Sequence, residues 1–340
     1  MLSEILFIAF PLCTAGAAIV VDYQKAWTAR GDKLPDFRFA GYHQSQVALP
    51  ALDRPATITI SPANTTGDRT PAIQAALDQV AQGGGGVVQL VAGTYALSAG
   101  LLILIGTTLR GAGIGNTVLT VNNLTKDVVT LGQANLKKQR GKATNITDTV
   151  TVLDTSRLSI GKPVYPSEMA TENLSMRVEP SCSGQSFSNL TCASSAVHVS
   201  SWATDSLVRH LDLTGFNHGI DIARSASRIT VTEVTMNRYG PVDNTAGYAI
   251  DVAIDGTQVL VHNVKNRGDG KSRSVATESL TPGPNVCLGY EIEEGIQNIG
   301  IEPHERYAHG FLNERSRVVS VIVTVQYGSL GHPHTCGPST

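Results

Sequence analysis

Charge is scarce in this chain. Asp, Glu, Lys and Arg make up only 16% of its 340 residues, the net charge is −2, and no long run of lysine and arginine occurs. Nucleic acid or an anionic membrane surface therefore finds no electrostatic partner here. Aromatic residues are equally sparse at 5%. Set against 33 glycines and frequent Val, Ile and Thr, that scarcity excludes a helical bundle and favours many short strands joined by tight turns.

Nucleotide-binding motifs fail on context. Gly111-Ala112-Gly113-Ile114-Gly115 follows a strand-like segment at 101–109, but another strand, 117–121, comes next where a dinucleotide fingerprint needs a helix. Gly270-Lys271-Ser272 ends like a phosphate loop, yet Lys265 stands where its first glycine belongs. Arg267-Gly268-Asp269 matches an adhesion tripeptide by coincidence, and His332-Pro333-His334-Thr335-Cys336 lacks zinc-site spacing.

Residues 1–18 read as a secretory signal peptide, because an apolar stretch ends in Ala15-Gly16-Ala17. An uncleaved anchor is the alternative, since Glu4 stands in the n-region without Lys or Arg. Cleavage removes Cys13 and leaves four cysteines, an even number that suits an oxidising compartment. Cys182 and Cys192 flank a short polar stretch and form a plausible disulfide loop, with two free thiols as the alternative. Sequons at Asn64, Asn123, Asn145, Asn173 and Asn189 each require an exposed loop if glycosylated. The expected product is a secreted, extracellular glycoprotein, free of the membrane once the signal is removed, and a monomer.

Thr70 before Pro71 marks a helix start, with threonine as the cap. Ile73, Leu77 and Val80, with Ala76 beside them, recur on one face, so a helix is predicted over residues 71–82. Gly83 to Gly86 then turn the chain into a strand at 87–91. A phosphate loop needs strand, then glycines, then helix; the order here is reversed.

The run GDRTPAIQAALDQVAQGGGGVVQLVAGTYALSAGLLILIGTTLRGAGIGNTVL resembles the N-terminal segment of the pectate-lyase-like, rhamnogalacturonase/epimerase-like superfamily. The resemblance covers about residues 67–120. It implies a single-stranded right-handed parallel β-helix whose short helix caps the open apolar end, where bare side chains and strand edges would otherwise meet water. The implied layout is an approach segment at 19–66, a β-helix at 67–315, and an atypical tail at 316–340 that leaves the coil truncated at its C-terminal end. Asp36 to His43 resemble the family's approach segment, with Tyr42 expected on the helix side of the coil. A further strand is expected at 318–325.

Rungs are visible further along. Leu174-x-Met176, Leu211-x-Leu213, Val234-x-Met236 and Val264-x-Asn266 line up at separations of 37, 23 and 30 residues, with Val208, Val231 and Val261 three places earlier. A second strand recurs as Gly219-Ile220-Asp221-Ile222 and Ala249-Ile250-Asp251-Val252. Alternation places Asp221 and Asp251 outward, and stacking in register would set them about 4.8 Å apart. Such a pair could be an acid and a base, half of a Ca²⁺ site, ligands for substrate hydroxyls, or a solvated strand face. His218 and Asn217 precede the first of them. Behind His262, the loop gathers Lys265, Arg267, Asp269, Lys271 and Arg273.

The resemblance implies action on a polysaccharide, with β-elimination from a uronic-acid polymer placed ahead of hydrolysis. In the lyase version Asp221 and Asp251 hold Ca²⁺ while Lys265 or Arg267 is base or neutraliser. In the hydrolase version the two aspartates are acid and base, and a spacing of about 5 Å favours retention. The family's hydrolase motifs, Asn-Thr-Asp-Gly and Asp-Asp, are absent; Asn217-His218-Gly219 stands instead. Pro303-His304-Glu305-Arg306-Tyr307-Ala308-His309-Gly310 is similar to a family signature, which implies His304 and Arg306 as substrate contacts or as a structural turn. A non-catalytic glycan-binding or structural β-helix is the competing class.

Overall fold

The computed structural model describes residues 22, 24–26, 28–31, 33–62, 67–122, 127–132, 165–179, 195–238, 249–268, 272–293, 300–303 and 308–318. The signal segment, Cys182, Cys192, His304, Arg306, the sequons Asn64, Asn123, Asn145 and Asn189, and the strand expected at 318–325 beyond its first residue lie outside them. Residues 1–36 form one unit, in which short turns are closed by Lys25 N–H on the Asp22 carbonyl and Gly31 N–H on that of Thr28. Residues 37–340 form the second.

The second unit is a parallel coil. Its elements are β1 (Ile58–Ile60), α1 (Thr70–Gln82), β2 (Gly86–Leu90), β3 (Gly93–Leu97), β4 (Leu101–Ile103), β5 (Thr107–Arg110), β6 (Thr117–Val121) and β7 (Val129–Leu131). There follow β8 (Ala170–Val178), β9 (Ser195–Val199), β10 (Thr204–Thr214), β11 (His218–Ile222), β12 (Ser227–Arg238), β13 (Ala249–Ile254) and β14 (Leu260–Gly268). The last are β15 (Ser272–Thr277), β16 (Asn285–Leu288), β17 (Glu291–Ile292), β18 (Gly300–Pro303) and β19 (Phe311–Glu314). Among the described residues one sheet has twelve strands, running β1-β2-β5-β8-β10-β12-β14-β16-β19 with β3, β6 and β17 alongside. The other has seven, in the order β18-β15-β13-β11-β9-β7-β4. Every pairing between these strands is parallel. From β7 to β16 successive strands alternate between the two sheets and stack rung on rung, which is a parallel β-helix.

The rungs stack as the apolar alternation dictates. Leu174, Leu211, Val234 and Val264 are register partners, as are Met176, Leu213, Met236 and Asn266, and Val208, Val231 and Val261. All but Asn266 are apolar, and all are buried. The long strands bend midway, at Asn173, His210, Glu233 and Asn263, each in the left-handed region with φ of 60°, 51°, 54° and 49°. At the next rung Gly289 takes the same place with φ 75° and no steric cost. Each rung thus has three faces: one strand of the seven-stranded sheet and the two halves of a bent strand of the other.

Helix α1 closes the N-terminal end. Ile73, Leu77 and Val80 join the core cluster that holds Val88, Leu101 and Ile103. Thr70 is not the cap: Asp68 accepts the Thr70 N–H at 2.9 Å, while the Thr70 hydroxyl donates to Asp68 and accepts from Ser98 N–H. A carboxylate two residues before the first helical turn suits the helix dipole and competes successfully for that amide. The segment predicted as one strand at 101–109 is two, β4 and β5 in different sheets, because Gly106 turns between them with φ 71°.

The described part of the approach segment from Phe37 onward lies in the second unit. It supplies β1, and residues 42–54 lie across the outer face of the twelve-stranded sheet. There Gln89, Arg110, Glu172, Arg209, Thr232 and His262 form one register column. Glu172, fully buried, pairs with Arg209 at 2.7 Å, and Arg209 donates to the Pro50 carbonyl at 2.6 Å. Arg110 donates to the carbonyls of Leu52 and Arg54 at 2.5 and 2.7 Å. These guanidiniums satisfy a backbone that has no strand partner. Tyr42 packs on Ala170 and Leu207 of this sheet, not beside α1.

Candidate functional site

The two aspartates do not form a pair. Between β11 and β13 the partners are His218 with Ile250, Ile220 with Val252, and Asp221 with Ala253. Asp221 is thus displaced by two residues from Asp251, whose place on β11 is taken by Gly219. Matching the strings GIDI and AIDV by eye set the register two residues out, since His218 and not Ile220 stands opposite Ile250. Asp251 goes inward and is fully buried. Its carboxylate accepts from Arg238 at 2.6 Å, Asn266 at 2.6 Å, Ser272 at 3.3 Å and the Tyr290 hydroxyl. Arg238, equally buried, also donates to the carbonyls of Phe216 and Asn217 at 2.5 and 3.0 Å. Asp251 can reach neither substrate nor water, so it is an interior counter-ion and not an acid, base or metal ligand.

Asp221 has a different partner. Its register neighbour on β9 is His198, whose Nδ1 lies 2.7 Å from a carboxylate oxygen of Asp221. The side chains are 25% and 41% exposed, so the pair faces solvent on the seven-stranded sheet. Burial alone would lower the His198 pKa, but the hydrogen bond and charge of Asp221 and the charge of Asp127 outweigh it and leave it raised. Burial pushes Asp127 up, although the Ser195 N–H bonds it at 2.7 Å.

His218 shares this face. Its register partner Ile250 packs with Ala253, the partner of Asp221, so the two columns lie on one side of the sheet. Burial and then the charge of Arg238 push His218 down to about 4, against the opposing pull of Asp221. Two rungs along the same column, about 9–10 Å away at strand spacing, stands Arg273. One face therefore carries a histidine whose pKa is raised, a histidine whose pKa is lowered, a carboxylate that acts on both, and a guanidinium.

Lys265 and Arg267 are elsewhere. They continue the columns of Ser175, Asp212 and Thr235, and of Arg177, Thr214 and Asn237, on the other sheet, and Lys265 pairs with Glu291 at 3.5 Å. Both remain exposed, but neither stands with Asp221. Among the described residues no group of three or more His, Cys, Asp or Glu could hold a metal ion, and the separation of Asp221 from Asp251 leaves no fit for Ca²⁺ between them. Asn173 is a correction of another kind. It lies at a strand bend and donates its amide to the Gly111 carbonyl at 3.2 Å, so the exposed loop expected of a glycosylation acceptor is absent there. Cys287 is a free, buried thiol pushed up to about 12 by burial. A cavity of about 270 Å³ beneath the approach segment, lined by Tyr42, Leu49, Thr232 and His262, lies on the twelve-stranded sheet, away from the His198 face.

His198 escaped the sequence reading, although a signal was present. Val197-His198-Val199 and Ile220-Asp221-Ile222 have the same apolar-polar-apolar pattern and stack exactly one rung apart.

The model of the family described as rhamnogalacturonase A/epimerase, pectate lyase-like, matches residues 63–271. The chain belongs to that family. The description names carbohydrate-active proteins, and the matched stretch contains His198, His218, Asp221 and Asp251. No curated protein matches the sequence. Among solved structures, the A-module of mannuronan C-5 epimerase AlgE6 from Azotobacter vinelandii is 12% identical, with 73% of this chain and 72% of that one covered and a TM-score of 0.37. A tailspike protein of E. coli bacteriophage HK620 in complex with a pentasaccharide is 12% identical over 79% of this chain and 46% of its own, with a TM-score of 0.40. A pectin methylesterase in complex with a hexasaccharide is 9% identical over 72% and 81%, with a TM-score of 0.39. No helix among the described residues is long and apolar enough to cross a membrane.

Proposed function

We propose that this family member is a secreted enzyme that cleaves a uronic-acid-containing polysaccharide by β-elimination on the outer face of the seven-stranded sheet. The observation that carries the reading is the opposite perturbation of His198 and His218 on that one face. Two titratable groups driven apart by their surroundings are suited to opposite roles at one pH. His218, neutral, takes the proton α to the uronate carboxylate. The C–O bond to the leaving sugar breaks as the ring double bond forms, and His198, its pKa raised and its ring oriented by Asp221, gives its proton to the leaving oxygen. Arg273 supplies positive charge for the carboxylate, as acidification of that carbon requires.

The test is mass spectrometry of products from pectic, alginate-like and glucuronan polymers. Elimination gives a fragment one water lighter than its hydrolytic counterpart, and His218→Gln abolishes it. Fragments that carry an added water, or full activity in His218→Gln, overturn the reading. Deuterium uptake from heavy water without cleavage would instead assign an epimerisation, which shares the first proton transfer alone. A folded chain that neither fragments nor exchanges any of these polymers would favour a binding role.

A further inference from the structure

Two large aromatic side chains stand out in a chain that has few. Trp202, 49% exposed, and Tyr165, 41% exposed, stack with ring centroids 6.0 Å apart and planes at 17°. Exposed indoles are uncommon in soluble proteins, and a contiguous pair of them calls for a partner. The coil explains how they meet. Ser167 bridges to Thr204 in parallel register, so the two aromatics occupy the same corner position on adjacent rungs. Trp202 is held there with φ 68°, a conformation that costs a non-glycine residue energy and that persists where structure enforces it.

The position is informative. Trp202 lies three residues after the end of β9 and four from His198, a span of at most about 14 Å. The platform is therefore at the edge of the same sheet face that carries the His198 and Asp221 pair, within the length of a short oligosaccharide. A pyranose ring presents one face of C–H groups edged by hydroxyls, and an aromatic plane offers apolar area with a negative π face to match.

We infer that Trp202 and Tyr165 form a sugar-stacking subsite that holds a pyranose ring of the polysaccharide several units from the reacting bond. The assignment rests on the proposed site at His198 for its substrate, but its readout does not depend on turnover. Trp27 and Trp202 are the two tryptophans of the chain. A Trp27→Phe background makes indole emission report Trp202 alone.

The experiment titrates that variant with octamers of galacturonate, mannuronate, guluronate and glucuronate, and with neutral glucan and xylan octamers as probes. Saturable change in emission by at least one octamer is expected. In the chain with Trp27 intact, Trp202→Ala should weaken that octamer's binding about tenfold, equivalent to 1.4 kcal/mol, and raise KM with little change in kcat, whereas Trp202→Tyr should stay near wild type. An unchanged Kd in a folded Trp202→Ala variant overturns the subsite, even if His218→Gln abolishes turnover and leaves the reaction intact. Emission that responds only to a neutral octamer supports the subsite and removes the uronate reading. No response to any octamer overturns the subsite.

Discussion

Replacing Asp251 with alanine separates the structural account from the sequence expectation. The carboxylate is fully buried and holds the guanidinium of Arg238, itself 1% exposed, at 2.6 Å. Removing one partner of a buried pair leaves an uncompensated charge, with a typical cost of about 3–5 kcal/mol. At about 2 °C per kcal/mol, the low end for domains of 150–250 residues, the midpoint should fall by about 6–10 °C. The remaining donors, Asn266, Ser272 and Tyr290, lose their acceptor as well. Thermal and urea denaturation of Asp251→Ala, Arg238→Met and the double variant give the coupling directly. It should be about 2–3 kcal/mol, because the second substitution removes the stranded charge. A single variant within about 0.5 kcal/mol of wild type, the range of exposed positions, would refute the burial argument. So would loss of turnover at unchanged stability, the result expected of a catalytic aspartate.

Other outcomes follow from the same geometry. The rate should have an acidic limb near pH 4, where His218 protonates, and a basic limb above 6.5, where His198 loses its proton; a single limb in kcat/KM across pH 3–9 would contradict the split. Stability responds with the matching signs. His198, raised on folding, contributes fully below its ordinary 6.5 and loses that contribution as pH rises through its folded value. His218, lowered on folding, contributes fully above 6.5 and loses its share as pH falls toward about 4. Glu172→Gln should loosen the approach segment, since Arg209 and Arg54 share that carboxylate; faster amide exchange or proteolysis within residues 42–54 checks this, and unchanged protection would contradict it. Asp68→Ala should destabilise by about 0.5–2 kcal/mol, because the Thr70 amide and the Thr70 and Ser98 hydroxyls lose their acceptor; urea denaturation measures it, and a neutral result would contradict it.

The coil was legible because its core follows simple alternation. Leu211 and Leu213, with Val208 before them, announce an inward face, and their partners at Val234, Met236 and Val231 repeat it. The end-capping helix was legible for the same reason, through Ile73, Leu77 and Val80. What alternation cannot show is where a strand begins to turn. Asp251 is the third residue of β13 and two places out of register with Asp221, so a pattern drawn from Asp221 aimed its side chain at solvent when it points to Asn266 and Tyr290. Bends at His210, Glu233 and Asn263 were equally invisible, because three different side chains occupy one left-handed position. Lys265 and Arg267 were grouped with Arg273 in one loop, yet they lie on β14 and the chain changes faces between them and Arg273 on β15. His198 was within reach, had the apolar-polar-apolar pattern been sought one rung earlier than Asp221.

The central claim is that one sheet face holds two histidines in opposite states. NMR titration of histidine-labelled protein, with His198→Gln and His218→Gln to assign the signals, tests it without knowledge of the substrate. The account predicts one imidazole that titrates above 6.5 and another that stays neutral to about pH 4. Both titrating together near 6.5 would contradict it and remove the basis for distinct acid and base.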